Sequence, residues 1–223
     1  MYKFKLFLTL LLASIPLILN AQNKELKVEL HAGHYTAFGG YAAASIETAR
    51  TFCENFSTHG GLQYNTIGKT STEIRPAYHI PFKWGKLSIE AILAYTHLRA
   101  INSFAAGGGT SLDSKSISTR LGYYYRLYGS QGGTIKEAFN IYYELRAHFL
   151  QKIEDWNLDL IITNCETFEL ERHFQPSFIA EGSFFTNSNL GISLGVGCKP
   201  SGMFNMSADY YQSYLKTGIC YRW

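Results

Sequence analysis

Charged side chains are scarce in this chain: Asp, Glu, Lys and Arg make up only 17% of its 223 residues. The 20 basic residues are nearly balanced by 17 acidic ones and no basic cluster occurs, so we expect no nucleic-acid partner. Past residue 21, no apolar run approaches the roughly 20 residues that a membrane-spanning helix requires. Hydrophobic residues (46%) and aromatic residues (15%) are abundant, which excludes a disordered chain.

Metal-binding cysteine pairs are also missing. The four cysteines are Cys53, Cys165, Cys198 and Cys220, and no CxxC occurs. This spacing matches no zinc signature, and the seven histidines are dispersed along the chain, so we expect neither a metal site nor a cofactor. In an oxidising compartment, four cysteines permit three complete disulfide pairings. The alternative is that each is a small apolar residue within a strand.

The first 21 residues have the character of an export signal. Lys3 and Lys5 precede an apolar stretch over 6–19, and the small Ala21 comes just before the polar Gln22. A positive start, an apolar centre and a small residue before the cut define a secretory signal peptide. The sequence therefore predicts a cleavable signal peptide over 1–21, export through the Sec pathway, and a single mature domain over 22–223.

Alternation with a period of two runs through the remaining chain. From Phe139 to Phe149, every second residue is apolar or aromatic, and the positions between them carry Asn, Tyr, Glu, Arg and His. Successive side chains of a β-strand point to opposite faces, so the pattern predicts a strand with one apolar and one polar face. Other segments repeat this pattern, whereas no helical period and no linker occur. The sequence therefore predicts an all-β domain.

About twelve alternating runs are separated by turn sequences. They lie near 25–35, 40–50, 56–66, 71–82, 86–99, 115–128, 137–150, 156–164, 170–185, 189–199, 203–210 and 214–223. The stretch from Ile101 to Lys115, with glycine at 107, 108 and 109, does not alternate and is predicted to be a mobile loop on the outer side of the membrane. Because 36–56 and 164–175 are the least clearly divided, ten strands is the alternative.

The composition of the polar face favours a membrane barrel over a soluble sandwich. Lys, Glu and Asp would dominate a solvated face, but here Gly, Ser, Asn, Tyr and His are mixed with Arg and Glu. An apolar exterior around a polar interior is typical of a transmembrane antiparallel up-and-down β-barrel, which we predict. The residues predicted to line its lumen are Glu73, Arg75, Arg120, Arg126, Glu144, Arg146 and His148.

The end of the sequence carries the most specific motif. Lys216, Gly218, Tyr221 and Trp223 form the pattern polar-x-Gly-x-x-aromatic-x-aromatic. This pattern resembles the assembly signal of outer-membrane β-barrel proteins of Gram-negative bacteria, and the chain most resembles the small barrels of Bacteroidetes. The resemblance covers 22–223 as architecture and only the last strand as motif. It implies an outer-membrane location, contact with outer-membrane lipid, and recognition by the barrel assembly machinery during insertion.

A search of the polar face for catalytic motifs finds none. No histidine is followed two positions later by serine, the pair that a resemblance to outer-membrane phospholipases would require. Ser57 and His59 occur in the reverse order and point inward, where a hydrogen bond is the simpler role. Glu169, Glu171 and His173 share one side, as in omptin-like proteases, but salt bridging is the favoured interpretation. We therefore expect no catalytic residues and no enzymatic activity.

Three functions stay open, in order of preference. The first is a structural or interaction barrel whose lumen is largely filled by charge pairs. The second is a narrow diffusion channel for small polar solutes, because twelve strands give a width between that of filled eight-strand barrels and that of open porins. Inward Arg–Glu mixtures and large side chains, such as Tyr124, Tyr128 and Tyr142, favour partial plugging. The third is an outer-membrane enzyme, which the missing motifs disfavour.

Overall fold

The computed structural model describes residues 23–35, 39–98, 101–130, 135–149, 156–164, 176–186, 189–202 and 207–222. Within these ranges no helix is long and apolar enough to cross a membrane. The described residues form twelve strands: β1 (Asn23–Tyr35), β2 (Gly39–Cys53), β3 (Phe56–Asn65), β4 (Lys69–Phe82), β5 (Gly85–Leu98), β6 (Ile101–Ser114), β7 (Ile117–Ser130), β8 (Ile135–Phe149), β9 (Trp156–Thr163), β10 (Ser177–Phe185), β11 (Leu190–Gly202) and β12 (Ser207–Arg222). The predicted signal peptide over 1–21 lies outside the described residues.

The strands close into one antiparallel barrel. Each strand pairs with its neighbours in sequence, and β1 also pairs with β12 from Glu25 opposite Arg222 to Tyr35 opposite Gln212. Closure leaves no free sheet edge, so backbone N–H and C=O groups find partners without help from a solvent. The predicted up-and-down barrel is therefore confirmed, with twelve strands and not the alternative ten.

The two faces of the barrel differ sharply in exposure. Phe139 is 64% exposed on the outside, whereas the next residue, Asn140, is 1% exposed on the inside. Large apolar side chains cover most of the exterior, and several of the exposed aromatic residues stand at strand ends, such as Phe56, Phe149 and Trp156. The exposed aromatic residues on strands are Phe56, Tyr64, Tyr78, Tyr95, Phe104, Tyr123, Tyr125, Phe139, Phe149, Trp156 and Tyr221. An exterior of this kind matches a lipid-facing surface with aromatic girdles.

The prediction of a mobile loop over Ile101–Lys115 is wrong. Residues 101–114 form β6, which pairs along its length with β5 on one side and β7 on the other. Alternation is hidden there because both faces carry small residues. Inward glycines leave room for large neighbours: a Cβ on Gly109 would collide with the hydroxyl of Tyr142, and one on Gly107 with Tyr124. The absent side chains are thus a packing requirement rather than a sign of a loop.

The correct strand count arises from two errors that cancel. The runs near 203–210 and 214–223 were predicted as separate strands but belong to the single strand β12, whereas β6 was missed. Pairing between β11 and β12 is regular up to Lys199 and then shifts register around Pro200. Proline has no N–H to donate to the ladder, which explains an irregularity at this position.

Proteolysis can test this revision of β6. In the folded barrel, we expect proteinase K to leave the segment 101–114 intact, because its backbone is hydrogen-bonded on both sides. The heat-unfolded chain is the control and should be cut in the same segment. Cleavage of the folded protein there, at a rate close to that of the unfolded chain, would restore the loop interpretation.

A small apolar cluster lies inside the barrel, towards the end opposite the termini. Tyr41, Ile161, Ile179 and Tyr214 are buried there together with Ala43, and the side chain of Ile67, from the turn between β3 and β4, packs against them. The amide of Gln212 donates a hydrogen bond of 2.8 Å to the hydroxyl of Tyr41. This group, called the inner apolar cluster below, fills part of the cross-section with water-excluding side chains.

Candidate functional site

A cavity of about 540 Å³ lies in the lumen. Positively and negatively charged side chains line the cavity. Tyr41, Ile161 and Tyr214 of the inner apolar cluster also border it. Six of the residues predicted to line the lumen border this cavity: Glu73, Arg75, Arg120, Glu144, Arg146 and His148. The seventh, Arg126, is 1% exposed and stacks its guanidinium over the ring of Tyr124 at 4.9 Å.

Four charged side chains form a buried to half-buried cluster across the seam where the barrel closes. We call this group, Lys27, Glu29, Glu181 and Lys216, the seam cluster. The ammonium of Lys27 lies 2.8 Å from carboxylate oxygens of both Glu29 and Glu181, and the ammonium of Lys216 lies 2.6 Å from Glu181. Each charge has a partner of opposite sign, which offsets the cost of removing it from bulk water.

Glycines on the inner face make room for the seam cluster. A Cβ on Gly218 would lie 2.7 Å from Cγ of Glu29, and one on Gly195 would lie 2.7 Å from Cε of Lys216. Both distances are too short for two carbon atoms in contact.

The residues of the C-terminal motif have different positions in the folded barrel. Gly218 leaves space for the side chain of Glu29. Lys216 of the same motif points into the lumen, and Tyr221 points outward. The side chain of Trp223 lies outside the described residues.

A second group of polar contacts connects β5, β7 and β8. The carboxylate of Glu90 accepts a hydrogen bond of 2.9 Å from the Tyr142 hydroxyl and lies 3.2 Å from Nε of Arg120. Tyr142 stacks on Tyr124 with ring centroids 6.2 Å apart. These side chains cross the interior above the glycines of β6 and β7. On β4, Arg75 forms an ion pair with Glu73.

A third group lies near the end of the barrel that carries the chain termini. Arg146 forms ion pairs with Glu144 at 3.4 Å and with Asp159 at 3.2 Å. The other oxygen of Asp159 lies 2.9 Å from Nδ1 of His148, whose Nε2 lies 2.9 Å from Oγ of Ser118. The sequence predicts that Arg146 and His148 lie in the lumen, but it does not reveal the hydrogen bond between His148 and Ser118.

Ser57 and His59, one of the two catalytic candidates from the sequence, each have other partners. Ser57 forms its hydrogen bond with Nε2 of His79 at 2.7 Å, and Nδ1 of His79 faces Oγ of Ser88 at 2.8 Å. His59 instead lies 3.8 Å from Glu47. Glu169, Glu171 and His173 lie outside the described residues.

Metal ligands do not converge anywhere in the described part of the chain. No group of at least three His, Cys, Asp or Glu side chains there is arranged to hold an ion. Of the cysteines, Cys53, Cys198 and Cys220 are free thiols, and Cys165 lies outside the described ranges. The three described thiols lie on β2, β11 and β12, which agrees with the interpretation of these cysteines as small strand residues.

Comparisons with known proteins give structural relatives only. No family model and no curated protein matches the chain. The KdgM porin superposes with a TM-score of 0.55 and 12% identity, over 87% of this chain and 98% of that one. The Acinetobacter baumannii outer membrane protein Omp33 gives 0.53 and 9% identity, over 91% of this chain and all (100%) of that one.

A third relative extends the same result. The translocator domain of the autotransporter NalP from Neisseria meningitidis has a TM-score of 0.53 and 10% identity, over 99% of this chain and 95% of that domain. This chain has the fold of an outer-membrane β-barrel. Identities of this size show a shared fold alone, and the three proteins themselves are a porin, an outer membrane protein and the translocator domain of an autotransporter.

Proposed function

We propose that this protein is an integral outer-membrane β-barrel with a closed, charge-paired lumen and a structural or interaction role. The observation that carries this proposal is the content of the interior: paired ions along the cavity, and the inner apolar cluster, which fills part of the cross-section at one end of it. An open channel needs a continuous polar path of water. Here ions are held by fixed partners, and the buried rings of Tyr41 and Tyr214 narrow the path further.

The proposal includes location and assembly. Apolar side chains on the exterior suit the hydrocarbon core of a bilayer, and the aromatic residues near the strand ends suit its interfaces. We infer a cleaved signal peptide over 1–21, export through Sec, and a small barrel of the Bacteroidetes type in outer-membrane lipid. Lys216, Gly218, Tyr221 and Trp223 would then be read by the barrel assembly machinery, with both termini in the periplasm.

Planar-bilayer conductance tests the closed lumen. We expect the refolded wild-type barrel to give no steady single-channel steps, because the inner apolar cluster excludes water. Replacing two of its rings, in the variant Tyr41→Ala/Tyr214→Ala, should remove this barrier and produce discrete steps. The matched control is Tyr64→Ala, which removes an exposed ring from the exterior and should leave the bilayer silent.

The same recording decides about a second candidate function. A narrow diffusion channel for small polar solutes is favoured by one observation, the cavity of about 540 Å³ lined by charges of both signs. If the wild-type barrel already gives discrete steps, and the double variant only enlarges them, then the channel replaces the closed barrel as the better account.

A further inference from the structure

Three neighbouring strands bring a serine, a histidine and an aspartate into one hydrogen-bonded line. Oγ of Ser118 on β7 lies 2.9 Å from Nε2 of His148 on β8, and Nδ1 of His148 lies 2.9 Å from Oδ1 of Asp159 on β9. Both distances fall within the normal range for hydrogen bonds. The order of the atoms is that of a nucleophile, a general base and an orienting carboxylate.

When the ring of His148 is neutral, chemistry fixes the direction of both hydrogen bonds. An ionised carboxylate only accepts, so Nδ1–H of His148 donates to Asp159, and Nε2 of neutral His148 is left as an acceptor. The hydroxyl of Ser118 therefore donates to Nε2. This is the tautomer in which a histidine can take the proton of a serine. The second oxygen of Asp159 is held by Arg146, with Nη1 at 3.2 Å, so the carboxylate is anchored on both sides.

The line of residues is accessible from the cavity. Ser118 and His148 both border it, together with Arg120 and Arg146. Ser118 lies near the start of β7, which begins at the same end of the barrel as β1, so this part of the cavity is close to the mouth on the side of the termini. Arg120 follows Ser118 by two residues on β7, and Arg146 is the cross-strand partner of Ser118, so both guanidinium groups line the cavity on the same face as the serine. Positive charge on this face favours a negatively charged oxygen in a transition state.

We propose that Ser118, His148 and Asp159 form a catalytic triad that hydrolyses small polar carboxylic esters. Oγ of Ser118 forms a bond to the ester carbonyl carbon while its proton passes to Nε2 of His148. The tetrahedral intermediate then expels the alcohol, which takes that proton, and leaves an acyl-serine. Water attacks the acyl group, gives one proton to His148 and releases the carboxylic acid. Ser118 recovers its proton, so no other reactant is consumed.

The cavity determines the substrate class. A volume of about 540 Å³ admits a small molecule, and the groups around Ser118 include Asp113, Arg120, Glu144 and Arg146. A charged lining of this kind is a poor environment for a long acyl chain. Placing such a chain there would remove water from the charged groups without giving them new hydrogen-bond partners, which costs free energy. Short acyl groups on polar alcohols fit the site, and membrane phospholipids do not.

The barrel contains its own comparison for this site. Ser57, His79 and Ser88 form a similar line, but a second hydroxyl stands where the triad has a carboxylate. Without a negative charge beside Nδ1, an imidazolium formed at His79 would not be stabilised in the same way. Ser57 should therefore be much less reactive than Ser118, although both serines share a hydrogen bond with a histidine.

Covalent labelling tests the proposal directly. The full barrel, refolded in detergent, is incubated with a biotinylated fluorophosphonate, and the modified peptide is identified by mass spectrometry. We expect Ser118 to be labelled in the wild-type protein, and labelling to be lost in Ser118→Ala and His148→Ala. The matched control Ser57→Ala should keep the label. The shift in gel mobility on heating confirms that each variant is folded.

Hydrolysis of p-nitrophenyl acetate gives the second readout, with p-nitrophenyl palmitate as the long-chain comparison. We expect release from the acetate only, and a decrease of at least about 100-fold in Ser118→Ala. Asp159 is a positioning residue, so Asp159→Asn should slow labelling by a similar factor. The pH dependence of the labelling rate should also change, and loss of a structural contact alone would not change it.

Three results would overturn the proposal. One is a folded wild-type barrel in which the fluorophosphonate does not modify Ser118. A second is acetate hydrolysis that Ser118→Ala leaves unchanged, because the activity would then come from another group. Labelling of Ser57 and Ser118 to the same extent would also contradict it, since the carboxylate would have no effect on reactivity.

Discussion

Glu181→Gln is expected to lower the free energy of unfolding by about 3 kcal/mol, because it removes one of the two carboxylates that balance the charges of Lys27 and Lys216. The Glu181 carboxylate binds the ammonium groups of Lys27 and Lys216 at 2.8 and 2.6 Å. Its side chain is 10% exposed and that of Lys216 is 7% exposed, so solvent does little to screen the lost charge. Glutamine keeps the size of the side chain, and the expected loss is therefore electrostatic.

The matched control is the same substitution in an exposed pair. Glu25 accepts a hydrogen bond of 2.8 Å from Nε of Arg222, but these side chains are 37% and 49% exposed. Glu25→Gln should therefore cost less than about 1 kcal/mol. Urea unfolding of the refolded barrel, followed by gel mobility, measures both variants. If both variants shifted the urea midpoint of unfolding equally, then the seam cluster would be as accessible to solvent as the Glu25–Arg222 pair, which contradicts its burial in the structure.

Gly122→Ala is expected to destabilise the barrel by about 2 kcal/mol, because the new methyl group meets the ring of Tyr142. The Cβ would also lie 2.6 Å from the backbone oxygen of Gly108, so moving the ring does not remove the conflict. Displacing the ring would in addition weaken the hydrogen bond from Tyr142 to Glu90. The loss should appear as a lower urea midpoint and a lower temperature for the heat-induced shift in gel mobility.

Gly61→Ala provides the comparison on the same inner face. There the Cβ would meet only Cγ of Glu47 at 3.7 Å and a backbone oxygen at 3.9 Å, which are ordinary contacts. Its unfolding free energy should stay within about 0.5 kcal/mol of the wild type. If both alanine variants behave alike, then the Tyr142 ring is not held against Gly122 and the account of β6 and β7 fails.

Much of the fold could be predicted because a two-residue period does not depend on distant contacts. From Phe139 to Phe149, local order alone places Asn140 inside and Phe139 outside. The period fails in β6, where Gly107 and Gly109 have no side chain to reveal a face. The need for glycine comes from β7 and β8: a Cβ at Gly107 would meet the backbone and Cβ of Tyr124, and one at Gly109 would meet the hydroxyl of Tyr142. A single sequence does not show which large residue a glycine accommodates on another strand.

The candidate site was harder to predict, because it depends on register between strands. Alternation placed His148 and Arg146 inside, but the pairing of Ser118 with Arg146 is what brings Ser118 close to His148. Turn length and the exact start of each strand set this register, and a shift by one residue would point Ser118 outward. The seam cluster was equally hard to predict, because barrel closure brings together Lys27 and Glu181, which are 154 positions apart in the chain.

The orientation of the two faces is the central claim, and accessibility of spin labels tests it most directly. In a variant without native cysteines, nitroxides are attached at Ile74 and Ile89, which point outward, and at Gly61 and Gln63, which border the cavity. In lipid vesicles, oxygen dissolved in the bilayer should relax the outward labels more strongly than a water-soluble nickel complex does. For the inward labels, the nickel complex should have the stronger effect. Outward labels that respond mainly to nickel, in a protein that stays dissolved without lipid, would contradict the membrane barrel.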